Sequence, residues 1–210
     1  MSKQTKQKCL LYLISPLDVG GTFPQRLARA LDAEPVADFQ FRVKDMDQHE
    51  AAALAEPLQA ICAEREVTFI VNDSVSLAKR LGADGVHLGQ DDGDVREARE
   101  ILGKEAQIGV TCHDSKHLGM AAGEAGADYV AFGAFYPTST KEVEHHAELD
   151  VLTWWQDIFE LPCVAIGGIT PENCAPLIHA GADFLAVSGA VWNTDEVAAV
   201  KAFHEAMQAA

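Results

Sequence analysis

The sequence predicts a single-domain α/β protein: a closed (β/α)8 barrel that uses the whole chain, residues 1–210. Three observations predict it. Short apolar runs alternate with longer segments of helical period, eight times along the chain. Several of those runs pass directly from apolar into polar residues at their carboxyl ends, which is where α/β sheets and barrels bind ligands. Finally, a tripeptide recurs before strands, at Gly82-Ala83-Asp84, Gly126-Ala127-Asp128 and Gly181-Ala182-Asp183. Each reads as a helix end whose glycine turns the chain into the next strand. The glycines are 44 and 55 residues apart, whole numbers of β/α units rather than a solenoid period.

Taken in order, the first strand is expected over 10–14, a helix over 23–33 and the second strand over 37–44. The helix over 50–65 carries Leu54, Leu58 and Ile61 on one face. The third strand, Phe69-Ile70-Val71, ends at Asn72-Asp73. Val75, Leu77, Ala78 and Leu81 then give a short helix with an apolar stripe. The fourth strand, Gly85-Val86-His87-Leu88, ends at Gly89-Gln90-Asp91-Asp92. Helices over 94–102, 115–124, 149–159, 171–180 and 194–207 alternate with strands over 108–111, 129–133, 163–167 and 184–188. The one long connection, 134–147, has the length of a functional loop.

Composition limits the classes of function. The formal net charge is −16, the wrong sign for nucleic acid or an anionic membrane as partner. No apolar run approaches the roughly 20 residues of a membrane span. Lysines precede an apolar stretch in MSKQTKQKCLLYLI, but the stretch is short and continues as an ordinary strand, so no signal peptide is expected. Five scattered cysteines without a CxxC pair argue against a disulfide framework and structural zinc. The expectation is a soluble, cytoplasmic protein acting on small molecules; a homo-oligomer is compatible with the sequence, which does not decide the oligomeric state.

The candidate chemistry gathers at strand ends. Adjacent parallel strands place Asp73 and Asp92 beside each other, with the amides of Asn72 and Gln90 nearby. Two carboxylates and amides suit a hard cation such as Mg2+, which shares its shell with water and substrate phosphates. Each aspartate alone also reads as a helix N-cap. In the second strand Gln40, Arg42 and Lys44 alternate with Phe39, Phe41 and Val43. The apolar set faces the helices, so the polar set faces inward, and two cations inside a barrel call for an anion; the plain alternative is a wet edge strand, which a closed barrel lacks. Thr138, Thr140 and Lys141 lie in the long loop and could hold a phosphate, or form a solvated turn. Gly167-Gly168 and Ser188-Gly189 follow the last two strands, where such barrels usually bind phosphate, with Thr170-Pro171 as a helix start. His87 and His113 read as packed histidines, the run 142–146 as a solvated face, and no cysteine as a nucleophile.

The segments FQFRVK, FIVNDSVSLA, GADGVHLGQDD, IGVTCH, GADYVAFGAFYPTSTK, VAIGGITPEN and GADFLAVSGA together resemble the thiamine phosphate synthase family, in order and over nearly the whole chain. The resemblance implies a TIM barrel that couples 4-amino-5-hydroxymethyl-2-methylpyrimidine diphosphate to 4-methyl-5-(2-phosphoethyl)thiazole and releases pyrophosphate. It implies that Gln40, Arg42, Lys44, Asn72, Thr111 and Lys141 hold the pyrimidine diphosphate. Asp73 and Asp92 would bind Mg2+, and Thr138, Thr140, Gly168, Ser188 and Gly189 the thiazole phosphate. Arg42, Lys44 and Lys141 would carry the catalytic charge in a dissociative reaction, in which a pyrimidine carbocation forms before the thiazole nitrogen captures it. The chain departs from the family pattern in three places: no glycine follows Lys141 over 142–147, Thr111 stands where serine is common, and Ser188-Gly189 replaces an ending in serine-alanine. Two other readings stay open: a thiazole tautomerase of the same barrel, whose histidine aligns with His113, and a non-catalytic barrel that binds thiazole phosphate or thiamine phosphate.

Overall fold

The structure, a computed structural model, describes residues 8–138 and 145–210. Eight parallel strands close on themselves in sequence order: β1 (Leu10–Ile14), β2 (Asp38–Phe41), β3 (Thr68–Asn72), β4 (Gly85–Leu88), β5 (Gln107–His113), β6 (Tyr129–Phe132), β7 (Cys163–Ile166) and β8 (Phe184–Val187). Between them run α1 (Phe23–Ala33), α2 (Gln48–Ala63), α3 (Val75–Leu81), α4 (Val95–Leu102), α5 (Lys116–Ala125), α6 (Leu149–Ile158) and α7 (Ala175–Ala180). A four-residue helix, α8 (Gly189–Trp192), follows β8 and precedes α9 (Glu196–Ala209). This is the (β/α)8 barrel the alternation predicts.

Strand pleating sorts the side chains into two cores. Leu11, Leu13, Phe39, Phe41, Phe69, Val71, Val86 and Leu88 pack outward into the large cluster shared with the helices. Alternate residues of the same barrel, Tyr12, Ile14, Tyr129, Ala131, Val164 and Ala186, form a second, smaller cluster inside it. The recurrent Gly-Ala-Asp has two jobs. Gly82, Gly126 and Gly181 end α3, α5 and α7 in the left-handed conformation. The aspartates then hold the amino end of the preceding strand: Asp84 accepts from the Phe69 amide at 2.7 Å, Asp128 from Ile108 at 2.7 Å and Asp183 from Cys163 at 2.8 Å.

Three expectations need correction. The second strand stops at Phe41 rather than 44, because its neighbour β3 pairs no further than Val71, and the Arg42 amide turns to the Ser15 hydroxyl at 2.9 Å. Helix α7 starts at Ala175, with Cys174 and not Thr170 before it: the Asn173 side chain takes the Thr170 amide at 2.8 Å and holds 171–173 in a turn. The sequence reading had no α8, since four residues carry too little period to register. Among the described residues no helix is long and apolar enough to cross a membrane.

Candidate active site

The carboxyl ends of β1 to β5 and β8 converge on one mouth of the barrel. At the end of β1, Ser15 ties three strands together. Its amide donates to the Gln40 carbonyl at 2.9 Å, and its hydroxyl accepts from the Arg42 amide and donates to the Arg42 carbonyl at 3.1 Å. Its own carbonyl accepts from the Ser188 hydroxyl at 3.4 Å. Arg42 therefore leaves β2 with its backbone fixed. Its Nη1 is buried and has no hydrogen-bond partner among the described residues. A buried guanidinium donor without an acceptor is a costly arrangement that an anionic ligand relieves.

Neither aspartate is a helix cap. Ser74 caps α3 by accepting from the Leu77 amide at 3.2 Å, and Asp94 caps α4 by accepting from the amides of Arg96 and Glu97 at 2.8 and 3.1 Å. Asp73 adopts a left-handed backbone, φ 63°, while its amide donates to the His87 carbonyl at 2.8 Å. That conformation is uncommon outside glycine and is concentrated at functional sites. Asp92 accepts from the Gly89 amide at 2.9 Å through Oδ2, and a Cβ at Gly89 would fall 2.4 Å from that oxygen. The two carboxyl groups meet. Burial, then the neighbouring Asp92, pushes the Asp73 carboxyl up to about 6 against the opposing pull of Arg42 and Lys44.

So Arg42, Lys44 and Asp92 all stand within electrostatic reach of Asp73. Among the described residues no three histidine, cysteine or acidic side chains are grouped to hold a metal by themselves. Two facing carboxylates fit a Mg2+ ion that completes its shell with water and substrate oxygens. Asn72 is the last residue of β3, and Gln90 donates through Nε2 to the Thr111 carbonyl.

Gln40 and Thr111 sit at the two ends of a buried chain of side chains. Gln40 Nε2 donates to Tyr12 Oη at 2.9 Å, and Tyr12 Oη lies 2.9 Å from Tyr129 Oη. Tyr129 Oη lies 3.0 Å from His87 Nδ1, and His87 Nε2 lies 2.8 Å from Thr111 Oγ1. His87 is the packed histidine that the sequence predicts, while Tyr12, Tyr129 and Ser15 carry no motif that singles them out. The available signal was the strand alternation, which puts Tyr12 and Tyr129 on the inward face.

On the far side of the mouth, Gly168 has φ 62°, and a Cβ there would lie 2.3 Å from the Pro137 carbonyl oxygen and 2.8 Å from that of Tyr136. The loop after β7 thus packs backbone to backbone against the loop after β6, where Thr138 is half-buried. Ser188 and Gly189 begin the turn into α8. Thr140 and Lys141 lie outside the described residues. The His113 ring stands 4.7 Å from that of His145, centroid to centroid. All five cysteines are buried, and burial pushes the thiols of Cys9, Cys62, Cys112 and Cys163 up to about 12, so these do not supply a nucleophile at neutral pH.

A family profile described as thiamine monophosphate synthase matches residues 11–191. The chain belongs to the thiamine monophosphate synthase family. It is 68% identical to the thiamine-phosphate synthase of Erythrobacter litoralis over 99% of both chains. It is 53% identical to that of Rhodospirillum centenum, over 95% of this chain and 98% of the relative. Among solved structures it resembles thiamine phosphate pyrophosphorylase from Pyrococcus furiosus, with TM-score 0.85, 26% identity and 98% of each chain covered. The family is consistent with a metal-assisted reaction, and its profile spans every described candidate residue of the mouth.

Proposed function

We propose that the chain is a thiamine-phosphate synthase that couples 4-amino-5-hydroxymethyl-2-methylpyrimidine diphosphate to 4-methyl-5-(2-phosphoethyl)thiazole, giving thiamine phosphate and pyrophosphate with Mg2+ as its metal. The observation that carries this reading is the convergence of Arg42, with its unpartnered buried nitrogen, and Lys44 on the facing carboxyls of Asp73 and Asp92. Cations and carboxylates together match a diphosphate bound with a divalent ion; either set alone does not.

Asp73 and Asp92 would hold the Mg2+, which supplies charge neutralisation of the leaving pyrophosphate. Arg42 and Lys44 contact the same diphosphate from the end of β2, and the family resemblance assigns Lys141, which is outside the described residues, to it as well. Their positive charge stabilises the oxygen anion that develops as the carbon–oxygen bond breaks. Gln40, Asn72 and Thr111 orient the pyrimidine part. No side-chain nucleophile is required if the carbon ionises before the thiazole nitrogen attacks, and the buried cysteines accord with that. The thiazole phosphate lies between the loops after β6, β7 and β8, against Thr138, Gly168, Ser188 and Gly189, and the family resemblance adds Thr140, which is outside the described residues; a short extra helix after β8 is the usual companion of such a site. A cytoplasmic location goes with this reading.

The test is pyrophosphate release from the pyrimidine diphosphate, measured with and without the thiazole phosphate and with and without Mg2+. Release that needs all three components is expected. Release that ignores the thiazole phosphate, or none under any condition, overturns the reading.

A further inference from the structure

The buried chain from Gln40 to Thr111 has a direction, and its chemistry can be worked out link by link. Gln40 Nε2 is a donor, so Tyr12 Oη accepts from it. Tyr12 is 2% exposed, and its one remaining partner among the described residues is Tyr129, to which its proton must go. Tyr129 Oη has then accepted, and its own proton goes to His87 Nδ1. Because Nδ1 accepts from Tyr129 it carries no proton, which leaves His87 a neutral imidazole. With Nδ1 accepting, its one proton sits on Nε2 and is donated to Thr111 Oγ1. The Thr111 hydroxyl proton is thereby released from the chain.

The backbone prepares this path. His87, Gly109 and Tyr129 lie in one register row across β4, β5 and β6. Gly109 has no side chain, so the Tyr129 ring crosses over β5 to reach His87: a Cβ at Gly109 would lie 1.9 Å from the ring carbon Cζ and 2.3 Å from Oη. The rings of Tyr129 and His87 stack with centroids 5.6 Å apart.

We propose that Tyr12, Tyr129 and His87 are positioning residues that hold Gln40 with its carbonyl oxygen, and Thr111 with its hydroxyl proton, turned to the substrate. An acceptor on β2 and a donor on β5 are thus set by one proton arrangement. This matches an amino-substituted heterocycle that offers an N–H to one side and a lone pair or phosphate oxygen to the other. The inference rests on the assignment of Gln40 and Thr111 to substrate in the proposed function. The arrangement that runs the whole chain backwards requires the Gln40 amide to be turned over and His87 to carry its proton on Nδ1, presenting the opposite pattern.

The experiment has two arms. The first reads the His87 tautomer by 15N-labelled histidine NMR of the ligand-free protein, with the His87 signals identified by their loss in His87→Gln. The Nε2–H tautomer is expected in the wild type, and loss of its single-tautomer signature in Tyr129→Phe, where Nδ1 has no donor. An Nδ1–H tautomer in the wild type overturns the direction proposed. The second arm is steady-state kinetics of Tyr129→Phe, with Tyr12→Phe alongside it in case the first variant does not fold. KM for the pyrimidine diphosphate should rise about five- to tenfold with kcat nearly unchanged, the pattern of a lost ground-state orientation worth one hydrogen bond. A folded variant with unchanged KM overturns the positioning role. The NMR arm needs no substrate, so a wild-type protein that releases no pyrophosphate would sink the functional reading while leaving the tautomer result standing.

Discussion

The carboxyl groups of Asp73 and Asp92 face each other across the ends of β3 and β4, and burial, reinforced by this contact, lifts Asp73 from 3.8 to about 6. The consequence for stability has a definite sign. Between about pH 4 and 6 the folded chain keeps a proton on Asp73 that the unfolded chain has released, so this group costs stability progressively as pH rises through that window, and the cost levels off above it. Asp73→Asn removes it. In the presence of a chelator, the melting temperature of Asp73→Asn should exceed that of the wild type by a margin that grows from pH 4 to 6 and then stays constant. A margin that is flat or shrinking across that range would contradict the upward shift of the Asp73 carboxyl.

The same pair gives the metal prediction. Asp73→Asn and Asp92→Asn should each raise the Mg2+ concentration needed for half-maximal pyrophosphate release and lower turnover about 10²-fold, with the fold intact by circular dichroism. Full activity of the double variant in EDTA would remove these two residues from the metal site.

Lys141 is assigned from the sequence. In the proposed reaction its charge would matter chiefly during bond breaking, so Lys141→Ala should lower kcat by roughly 10²-fold or more, with a smaller change in KM for the pyrimidine diphosphate. Lys141→Arg should recover part of the loss, since a planar fork replaces a point charge. Near-normal kcat for Lys141→Ala would mean that the loop after β6 does not close over the leaving group.

Gly168 is where the loops after β6 and β7 touch. Alanine there has to adopt φ 62° with its Cβ 2.3 Å from the Pro137 carbonyl oxygen, so the loop after β6 must move. Gly168→Ala should cost about 1–3 kcal/mol of stability by denaturant titration and raise KM for the thiazole phosphate more than KM for the pyrimidine diphosphate. Equal effects on both substrates would argue against a thiazole site between these loops.

His113 separates synthase from tautomerase chemistry. It lies beside His145 at the end of β5. His113→Ala should keep most of the coupling activity. A variant dead in coupling, together with histidine-dependent proton transfer on a carboxythiazole tautomer by the wild type, would reverse the assignment.

How much of this was legible beforehand depended on the range of the interaction. Eight alternations, the outward faces of the strands, and the glycine that closes each Gly-Ala-Asp helix are local, one- or two-residue properties of period and backbone freedom, and the sequence by itself determined them. It also determined which residue types stand at strand ends, so Arg42, Lys44, Asp73 and Asp92 could be grouped once the strands were known to be neighbours.

The tertiary structure decided the rest. Where β2 ends was set by the reach of β3 beside it and by Ser15, a residue 27 positions away from Arg42. Whether Asp73 and Asp92 were caps or a facing pair was settled by which hydroxyl or carboxylate reached the helix amides first, and Ser74 and Asp94 did so. The link from Gln40 to Thr111 joins residues of β1, β2, β4, β5 and β6 through four hydrogen bonds. No local pattern encodes it, because side-chain hydrogen bonds depend on ångström-scale separations between strands far apart in sequence. The sequence supplies the donors and acceptors, and closure of the barrel brings them within 3 Å of one another.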